Sequence, residues 1–376
     1  MIPAKKVLFV FGTRPEAIKM APLVLELQKR AACFRPVICV TAQHRHMLDQ
    51  VLEFFDIRPD YDLDIMKPGQ TLTDITSAAL KGVENVLLRE RPDVLLVQGD
   101  TTTAFAAALA AFYQKIPVGH IEAGLRSGDK YSPYPEEINR IMISHLTDFH
   151  FAPTERARAR LAGEGISAHV YITGNTVIDA LLCGREKLKL RRPEEMTKRF
   201  PQIDMDRKII LVTGHRRESF GKEFDQICHA LKIIAEKHDD VQIVYPVHLN
   251  PRVREPVNRI LGNMPNICLI EPVDYESMIW LMNRCHLVLT DSGGIQEEAP
   301  ALGKPVLVMR KVTERQEGID AGTARLVGTD TEEIFHQTER LLCDETVYRE
   351  MSHAVNPYGD GHASEKIADL LEQILN

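Results

Sequence analysis

The stretch TDSGGIQEEAPALGKPVLV, from Thr290 to Val308, decides the predicted fold of this chain. It follows the apolar run 287–289 and contains a Ser-Gly-Gly turn, a short acidic helix and a second apolar run. Strand, turn, helix and strand in this order are typical of a parallel α/β sheet. Because Gly293 and Gly294 lack Cβ atoms, a ligand can approach their backbone amides closely. The unpaired N–H groups of the helix that they open favour an anion at the same place.

Two carboxylates in this stretch indicate what kind of anion would fit. Glu297 and Glu298 lie one helical turn beyond the glycines, where a phosphate has no need of a carboxylate but a ribose diol does. The stretch therefore predicts a site for a nucleoside diphosphate, held by backbone amides and by a carboxylate at its ribose. An ordinary connection between strand and helix, without a ligand, is the alternative, and this stretch alone does not decide between the two.

Composition excludes several classes of function. The chain has 376 residues, 44% hydrophobic and 26% charged, which is typical of a globular protein of about two domains. The net charge of -7 argues against nucleic acid as the partner, because phosphate backbones select for basic surfaces. The apolar run at 7–11 is too short for a signal peptide or a membrane span. The 7 cysteines contain no C-x-x-C pair, so we expect a cytoplasmic protein with neither disulfide bridges nor a zinc site.

Apolar strands alternate with helices through both halves of the chain. The main predicted strands are 5–11, 36–40, 93–98 and 117–121, then 208–213, 241–246, 267–270 and 287–289. This repeated alternation predicts an α/β protein of two doubly wound, Rossmann-like domains that face a central cleft. We place an N-terminal domain at 1–175 and a C-terminal domain at 176–362. A last helix at 363–376 is expected to pack back on the N-terminal domain.

Charged side chains follow the strand ends of the first domain. Asp100 and Glu122 each come directly after a strand, and Glu136 opens the helix that follows the next loop. Arg14 and Lys19 follow the end of the first strand. Since the carboxyl ends of parallel strands form the ligand crevice of such sheets, these residues predict an acid/base site. A solvated acidic rim, and for Lys19 a solvated helix face, are the alternatives.

The chain also carries a series of short motifs that together resemble a known family. In order they are VFGTRPEAIKMAP, TAQHR, GDTTT, HIEAGLRS, PEEINR, ITGNTVIDAL, TGHRRES, YPVHLNP, TDSGGIQEEAP and NPYGDG. Between Lys5 and Gly361, nearly its whole length, the chain resembles the non-hydrolysing bacterial UDP-N-acetylglucosamine 2-epimerases. The resemblance implies the glycosyltransferase-B fold and the cytoplasmic interconversion of UDP-N-acetylglucosamine and UDP-N-acetylmannosamine for surface polysaccharide synthesis. It further implies a homodimer, with no membrane partner and with neither metal nor nicotinamide cofactor. The chain accordingly has no G-x-G-x-x-G motif and no metal-ligand spacing.

The resemblance assigns residues of the second domain to UDP. The diphosphate would contact Ser292, Gly293 and Gly294, and the ribose would contact Glu298. Arg315 and His215 would reach the phosphates from either side. The uracil would lie near Val273 and Met278, where the family often has other residues, so the contacts to the base stay open.

The resemblance also assigns a catalytic set and an activator set. The catalytic residues would be Asp100, Glu122, Glu136 and His215, with Arg14 and Lys19 facing the sugar. Some members of the family bind a second UDP-N-acetylglucosamine as an activator. The residues that match this second site are Gln43, Gln70, Arg216 and His248.

The chemistry explains why such residues would be needed. The C2 proton of UDP-N-acetylglucosamine has no neighbouring carbonyl, so loss of UDP from C1 must first give C1 oxocarbenium character. Removal of the proton then yields 2-acetamidoglucal with UDP still bound, and re-addition from the other face inverts C2. Preorganised cations and amides would stabilise the leaving diphosphate, and at least two carboxylates would serve the two sugar faces. Which carboxylate serves which face stays open. The alternatives are a hydrolysing epimerase, a glycosyltransferase and a non-enzymatic nucleotide-sugar sensor.

Overall fold

The computed structural model describes residues 3–42, 45–67, 69–191 and 193–375, and the chain divides into two compact units. Unit 1 comprises Met1–Cys183 with Tyr358–Asn376, and unit 2 comprises Gly184–Pro357. The division lies later in the chain than the boundary expected after residue 175, because the first half of a helix that starts at Thr176 packs into unit 1. The chain returns to unit 1 at Tyr358, before the last helix that the sequence predicts.

Unit 1 is a parallel sheet with helices between its strands. The strands are β1 (Lys5–Phe11), β2 (Phe34–Val40), β3 (Tyr61–Asp62), β4 (Val94–Gln98), β5 (Val118–Ile121), β6 (Phe149–Ala152) and β7 (Val170–Ile172). The helices are α1 (Arg14–Lys29), α2 (Arg45–Phe54), α3 (Leu72–Glu90), α4 (Thr102–Tyr113), α5 (Glu136–Leu146), α6 (Glu155–Gly163) and α7 (Thr176–Leu190). The strand order β3-β2-β1-β4-β5-β6-β7 is that of a doubly wound fold.

Unit 2 repeats this arrangement. Its strands are β8 (Lys208–Thr213), β9 (Val241–Pro246), β10 (Ile267–Ile270), β11 (Leu287–Thr290), β12 (Val306–Val308) and β13 (Ala324–Leu326), in the order β10-β9-β8-β11-β12-β13. Its helices are α8 (Pro193–Arg199), α9 (Lys222–Lys237), α10 (Pro251–Leu261), α11 (Tyr275–Arg284), α12 (Gly293–Glu298), α13 (Gln316–Asp320), α14 (Thr331–Cys343) and α15 (Glu345–Ser352). Every strand pair in both sheets is parallel, so the predicted α/β, doubly wound class is confirmed.

The buried strand runs explain why these elements form. Residues 7–11 of β1 are fully or almost fully buried, as are all residues of β4 and β11, because helices cover both faces of each sheet. Thr and Asp side chains cap several helices: Thr101 begins α4 and Asp274 begins α11. The carboxyl ends of the strands thereby open directly onto capped helix starts, which is where ligands bind in such sheets.

The last helix, α16 (Ala363–Leu375), belongs to unit 1. It packs on α1, where Arg30 pairs with Asp369 at 2.5 Å. Asp179 of α7 accepts hydrogen bonds from the backbone N–H groups of Ala363 and Ser364. A carboxylate at this position satisfies amides that a helix start leaves unpaired. A bilayer-spanning helix is absent from the described part of the chain.

Candidate active site

Glu122 is the most heavily hydrogen-bonded carboxylate that follows a strand of unit 1. It lies directly after β5, is 7% exposed, and has a left-handed backbone with φ of 65°. Its Oε1 accepts from Lys19 Nζ at 2.5 Å and from Asn175 Nδ2 at 2.8 Å. Its Oε2 accepts from Gln98 Nε2 at 2.6 Å. Donors on both oxygens favour the ionised carboxylate.

Asp100 lies next to this carboxylate, after β4. Its Oδ2 accepts from Arg140 Nε at 2.8 Å and lies 2.6 Å from Arg140 Nη2, while its carbonyl accepts from Asn139 Nδ2 at 2.9 Å. A Cβ atom on the preceding Gly99 would lie 3.6 Å from Glu122 Oε2. Asp100 and Glu122 therefore follow neighbouring strands at one edge of the sheet, and their joint role in an acid/base site stays a prediction.

Glu136 opens α5, four residues before Arg140, so the two side chains share a helix face. Its Oε2 is buried and has no hydrogen-bond partner among the described residues. The next residue, Glu137, accepts from the backbone N–H groups of Ser127 and Gly128 and from Arg140 Nη1. Burial raises the pKa of Glu137, but these hydrogen bonds and the charge of Arg140 lower it by more, so the net shift is downward. Glu137 fixes the loop, whereas Glu136 has a buried oxygen whose hydrogen-bonding capacity is not used within the described residues.

The loop after β1 is tied to the loop that carries Asp100. Glu16 accepts from the N–H groups of Gly12 and Thr13 with one oxygen, and from Thr101 Oγ1 at 2.7 Å with the other. Arg14, the first residue of α1, is half-buried in this connected loop. Arg14 and Lys19 therefore lie at the same sheet edge as the carboxylates.

The two expected activator residues of unit 1 have different outcomes. Gln43 lies outside the described residues. Gln70 donates to the carbonyl of Ile65 at 2.8 Å and accepts from the N–H of Lys67 at 2.7 Å, so its side chain bonds within its own loop. Nothing in the described part of the chain connects it to the carboxylates of unit 1.

The Ser-Gly-Gly turn of unit 2 lies under an arginine. Ser292 precedes α12, and a Cβ atom added to Gly293 would lie 3.1 Å from Cζ of Arg315. The Arg315 guanidinium is held by Glu297 (Nε to Oε1, 2.8 Å) and by Glu314 (Nη1 to Oε1, 3.0 Å). Burial raises the pKa of Glu314, but the charges of Arg315 and Arg310 outweigh it and bring that pKa to about 2. The turn and Arg315 form a positively polarised surface suited to a diphosphate.

His215 follows β8 and is oriented by Asp291. Asp291 Oδ2 accepts from the backbone N–H groups of His215 and Arg216, at 2.6 and 2.8 Å. Asp291 Oδ1 is buried without a hydrogen-bond partner in the described ranges and lies 3.8 Å from His215 Nδ1. Burial lowers the pKa of His215 more than Asp291 raises it, so the imidazole is neutral at pH 7. The ring of His248 stacks on it with 5.1 Å between centroids, which brings His215, Arg216 and His248 together.

The remaining residues expected at UDP lie on α12 and at the start of α11. Glu298 Oε1 accepts from the hydroxyl of Tyr275 at 3.2 Å, which joins α12 to the first turn of α11. Met278 lies one turn further along α11, and Val273 directly precedes the Asp274 cap; both are partly exposed. No group of His, Cys, Asp and Glu side chains arranged for a metal ion occurs in the described residues.

Comparisons with known proteins bear on this geometry. The family described as UDP-N-acetylglucosamine 2-epimerase matches residues 26–372. The chain is 61% identical over 372 residues to the UDP-N-acetylglucosamine 2-epimerase of Escherichia coli K12, covering 98% of both chains. It is 59% identical over 370 residues to that of Salmonella typhimurium LT2, again covering 98% of both. The chain belongs to the UDP-N-acetylglucosamine 2-epimerase family.

Solved structures of this epimerase family share the fold. A structure of the Neisseria meningitidis enzyme bound to UDP-N-acetylglucosamine has a TM-score of 0.91 and 52% identity, covering 98% of this chain and 100% of that one. The Methanocaldococcus jannaschii enzyme, in complex with UDP-N-acetylglucosamine and UDP, has a TM-score of 0.80 and 34% identity, covering 98% and 99%. These likenesses confirm the expected family and its glycosyltransferase-B type of fold. As a member of an epimerase family, the chain is an isomerase.

Sequence reasoning missed several residues that contact the candidate site residues. Gln98, Asn175 and Asp291 contact predicted site residues directly, and Arg140 pairs with Asp100. One signal was available for Gln98, since a polar residue at the end of the buried run VLLVQ needs a partner. Asn175 and Asp291 stand in turns, where a structural role would have been the ordinary reading.

Proposed function

We propose that this chain interconverts UDP-N-acetylglucosamine and UDP-N-acetylmannosamine by eliminating UDP and adding it back, without net hydrolysis. The observation that carries the proposal is that Asp100 and Glu122 follow neighbouring strands of one sheet and each has a cationic partner, Arg140 and Lys19 respectively. Such a pair can remove and return a proton on a bound sugar. Metal-ion and nicotinamide chemistry are not required by this route.

Unit 2 residues are proposed to hold the leaving UDP. As the C1–O bond breaks, its electron pair moves to the β-phosphate, and the diphosphate gains negative charge. We expect the amides of the Ser292–Gly294 turn and the Arg315 guanidinium to stabilise this charge, and the approach of Arg315 to Gly293 supports this role. His215 adds a hydrogen-bond donor beside them. Glu298 accepts from the ribose hydroxyls, and Val273 and Met278 flank the base.

Unit 1 residues are proposed to move the proton. C–O cleavage leaves positive charge at C1, the C2–H electron pair forms the C1=C2 bond, and a carboxylate takes the proton. A second carboxyl group, in its protonated form, donates its proton to the opposite face of C2 while a β-phosphate oxygen of UDP forms the new bond to C1, and exchange with solvent returns both groups to their starting protonation states. Asp100, Glu122 and Glu136 are the candidates for these two roles, and Arg14 and Lys19 face the same sugar.

Assembly, regulation and location are also proposed on the family resemblance. A second UDP-N-acetylglucosamine would act as an activator at Gln43, Gln70, Arg216 and His248. The stacking of His248 on His215 supports a direct path from this second site to the diphosphate site. The enzyme would act in the cytoplasm as a homodimer and supply a precursor for a bacterial surface polysaccharide.

Proton NMR of the purified protein with UDP-N-acetylglucosamine as the only substrate tests the reaction. We expect UDP-N-acetylmannosamine to appear and both UDP-sugars to persist at equilibrium. Free N-acetylmannosamine with UDP would identify a hydrolysing epimerase. Turnover that needs an added acceptor would identify a glycosyltransferase, and an unchanged spectrum with intact binding would identify a sensor.

A further inference from the structure

Glu122 depends on two amide side chains that come from distant parts of unit 1. Gln98 ends β4 and donates to Oε2, whereas Asn175 lies between β7 and α7 and donates to Oε1. Both amides are almost completely buried. A buried amide that donates to a carboxylate fixes the position of that carboxylate and stabilises its charge at the same time.

Asn175 is itself fixed on three sides. Its Oδ1 accepts from the N–H of Val177 at 3.1 Å, and its own backbone N–H donates to the carbonyl of Tyr358 at 2.7 Å. The neighbouring Gly174 packs so closely that an added Cβ would lie 3.3 Å from Cα of Gly359. The amide nitrogen of Asn175 is therefore directed at Glu122 by the segment in which the chain re-enters unit 1.

We infer that Asn175, assisted by Gln98, is a positioning residue that keeps the Glu122 carboxylate ionised and in one orientation for proton transfer. This inference rests on the proposed function, in which Glu122 touches the substrate while the two amides act through it. A side chain that only stabilised the fold would alter protein stability, whereas a positioning residue also alters how turnover depends on pH.

Three charged or titratable groups near Glu122 bear on its protonation. Lys19 donates to Oε1, and Asp100 lies beyond Gly99 in its pair with Arg140. His120, two residues before Glu122, is fully buried, and its burial brings its pKa to about 3, so it stays neutral across the range in which an enzyme assay is run. His120 is therefore not the source of a change in the pH profile, and the comparison of Asn175 and Gln98 variants, which contact the two oxygens of Glu122, tests whether that carboxylate is.

Asn175→Asp is the sharpest test because it changes one atom at the contact. Asp keeps the oxygen that accepts from Val177 and keeps the backbone N–H that donates to Tyr358. The donor nitrogen 2.8 Å from Glu122 Oε1 becomes a carboxylate oxygen. Two carboxylates then face each other and hold one proton between them, which raises the pKa of the pair. We expect kcat to fall by about 10–10²-fold at pH 7, KM to stay within about twofold, and the acid limb of the kcat profile to move up by about one pH unit or more.

Two further variants complete the test. Gln98→Glu makes the same change at Oε2 and is expected to move the acid limb in the same direction. Gln337→Glu is the matched control, because Gln337 also donates to a glutamate, Glu333, at 2.9 Å, but on α14 of unit 2. It is expected to keep the pH profile of the wild type. UDP affinity by calorimetry, which reports on unit 2, should be unchanged in all three.

A double variant separates direct contact from a loss of stability. In Asn175→Asp combined with Glu122→Gln, an amide again faces a carboxylate, with the roles exchanged. We expect the double variant to recover most of the decrease in melting temperature caused by Asn175→Asp. Turnover should stay low, because Glu122 can no longer accept a proton. No recovery would mean that the two side chains do not act as a pair, and the inference would be overturned.

The outcomes separate the inference from the proposed function. An Asn175→Asp enzyme with the wild-type profile, or with a uniform loss of kcat at every pH and an unmoved acid limb, would overturn the positioning role. If Glu122→Gln retained wild-type turnover, the catalytic role of Glu122 in the proposed function would fail instead, whatever the Asn175 variants did.

Discussion

The two units hold their functional side chains in different electrostatic states. In unit 1 the carboxylates Glu122 and Asp100 already have cationic partners, Lys19 and Arg140. In unit 2, His215 is neutral, and a buried oxygen of Asp291 lies 3.8 Å from its Nδ1 without a partner in the described residues. The comparison indicates that Glu122 and Asp100 are paired before a ligand arrives, whereas His215 can gain a proton when a diphosphate brings negative charge.

The largest expected effect concerns the preorganised carboxylates. Glu122→Gln and Asp100→Asn keep the shape of each side chain and remove its ability to accept a proton. Each should lower kcat by about 10²–10⁴-fold, the usual contribution of general acid/base catalysis, with little change in UDP affinity. The matched control is Asp369→Asn on α16, which breaks the surface pair of Asp369 with Arg30 at the end of α1. Wild-type turnover in both site variants would remove proton transfer from unit 1.

The next effect concerns Glu314, which pairs with Arg315 in unit 2, and its contribution to the free energy of unfolding. The pKa of Glu314 is about 2 in the folded protein against 4.5 for the ordinary carboxyl group, so its stabilisation is present above pH 4.5 and is lost as pH falls towards 2. Glu314→Gln should reduce the free energy of unfolding at pH 7 by about 2–3 kcal/mol and flatten its loss between pH 5 and 3, measured by urea denaturation. Glu345→Gln, which breaks an exposed pair with Arg349, should cost about 0.5 kcal/mol or less. Equal losses in the two variants would contradict the role of Glu314.

A third effect concerns the ribose contact in unit 2. Glu298→Ala should weaken UDP binding by about 1–3 kcal/mol, because a charged acceptor is lost. Calorimetry with UDP measures it, and a thermal melt checks the fold, since Glu298 also accepts from Tyr275. Tyr275→Phe is the control that removes the hydroxyl of this hydrogen bond and keeps the Glu298 carboxylate, and it should change UDP affinity much less. An unchanged affinity in Glu298→Ala would remove this residue from the nucleotide site.

The smallest expected effect is the uptake of a fraction of a proton when UDP binds. Burial lowers the pKa of His215 in the free protein, and a bound diphosphate should raise it. UDP binding should therefore take up protons near pH 6, seen as a dependence of the binding heat on the buffer. His215→Asn should lose this uptake and leave only the change in ionisation of the UDP phosphate itself, which a site of amides and a cation shifts towards proton release. Equal uptake in both proteins would remove the contrast between the two units.

The fold could be predicted because its signals are local. Runs such as KKVLFVF and LVLT are apolar and flanked by glycine or threonine turns, and they form the buried strands β1 and β11. The positions of Asp100 and Glu122 could be predicted for the same reason, since both follow the end of such a run, whereas their roles stay predictions. The position of a strand end relative to the sheet follows from topology alone.

The contacts that organise the site could not be predicted in this way. Asn175 and Glu122 are 53 residues apart, and Arg140 and Asp100 are 40 apart. Their pairing depends on how β5, β7 and α5 pack in three dimensions. The boundary between the units was missed for a related reason: the sequence has a clear turn at 172–175, but the start of α7 stays in unit 1, where Asp179 binds the start of α16.

Solvent-isotope incorporation tests the central claim, which is that unit 1 carboxylates exchange the C2 proton with solvent while residues of unit 2 hold UDP. With UDP-N-acetylglucosamine in deuterium oxide, NMR and mass spectrometry should find deuterium at C2 of both product and recovered substrate, and none at C3 or C4. Glu122→Gln should lower this incorporation in parallel with turnover. Epimerised product that retains its original hydrogen at C2 would contradict the account, because that hydrogen would have moved without passing through a group in contact with solvent.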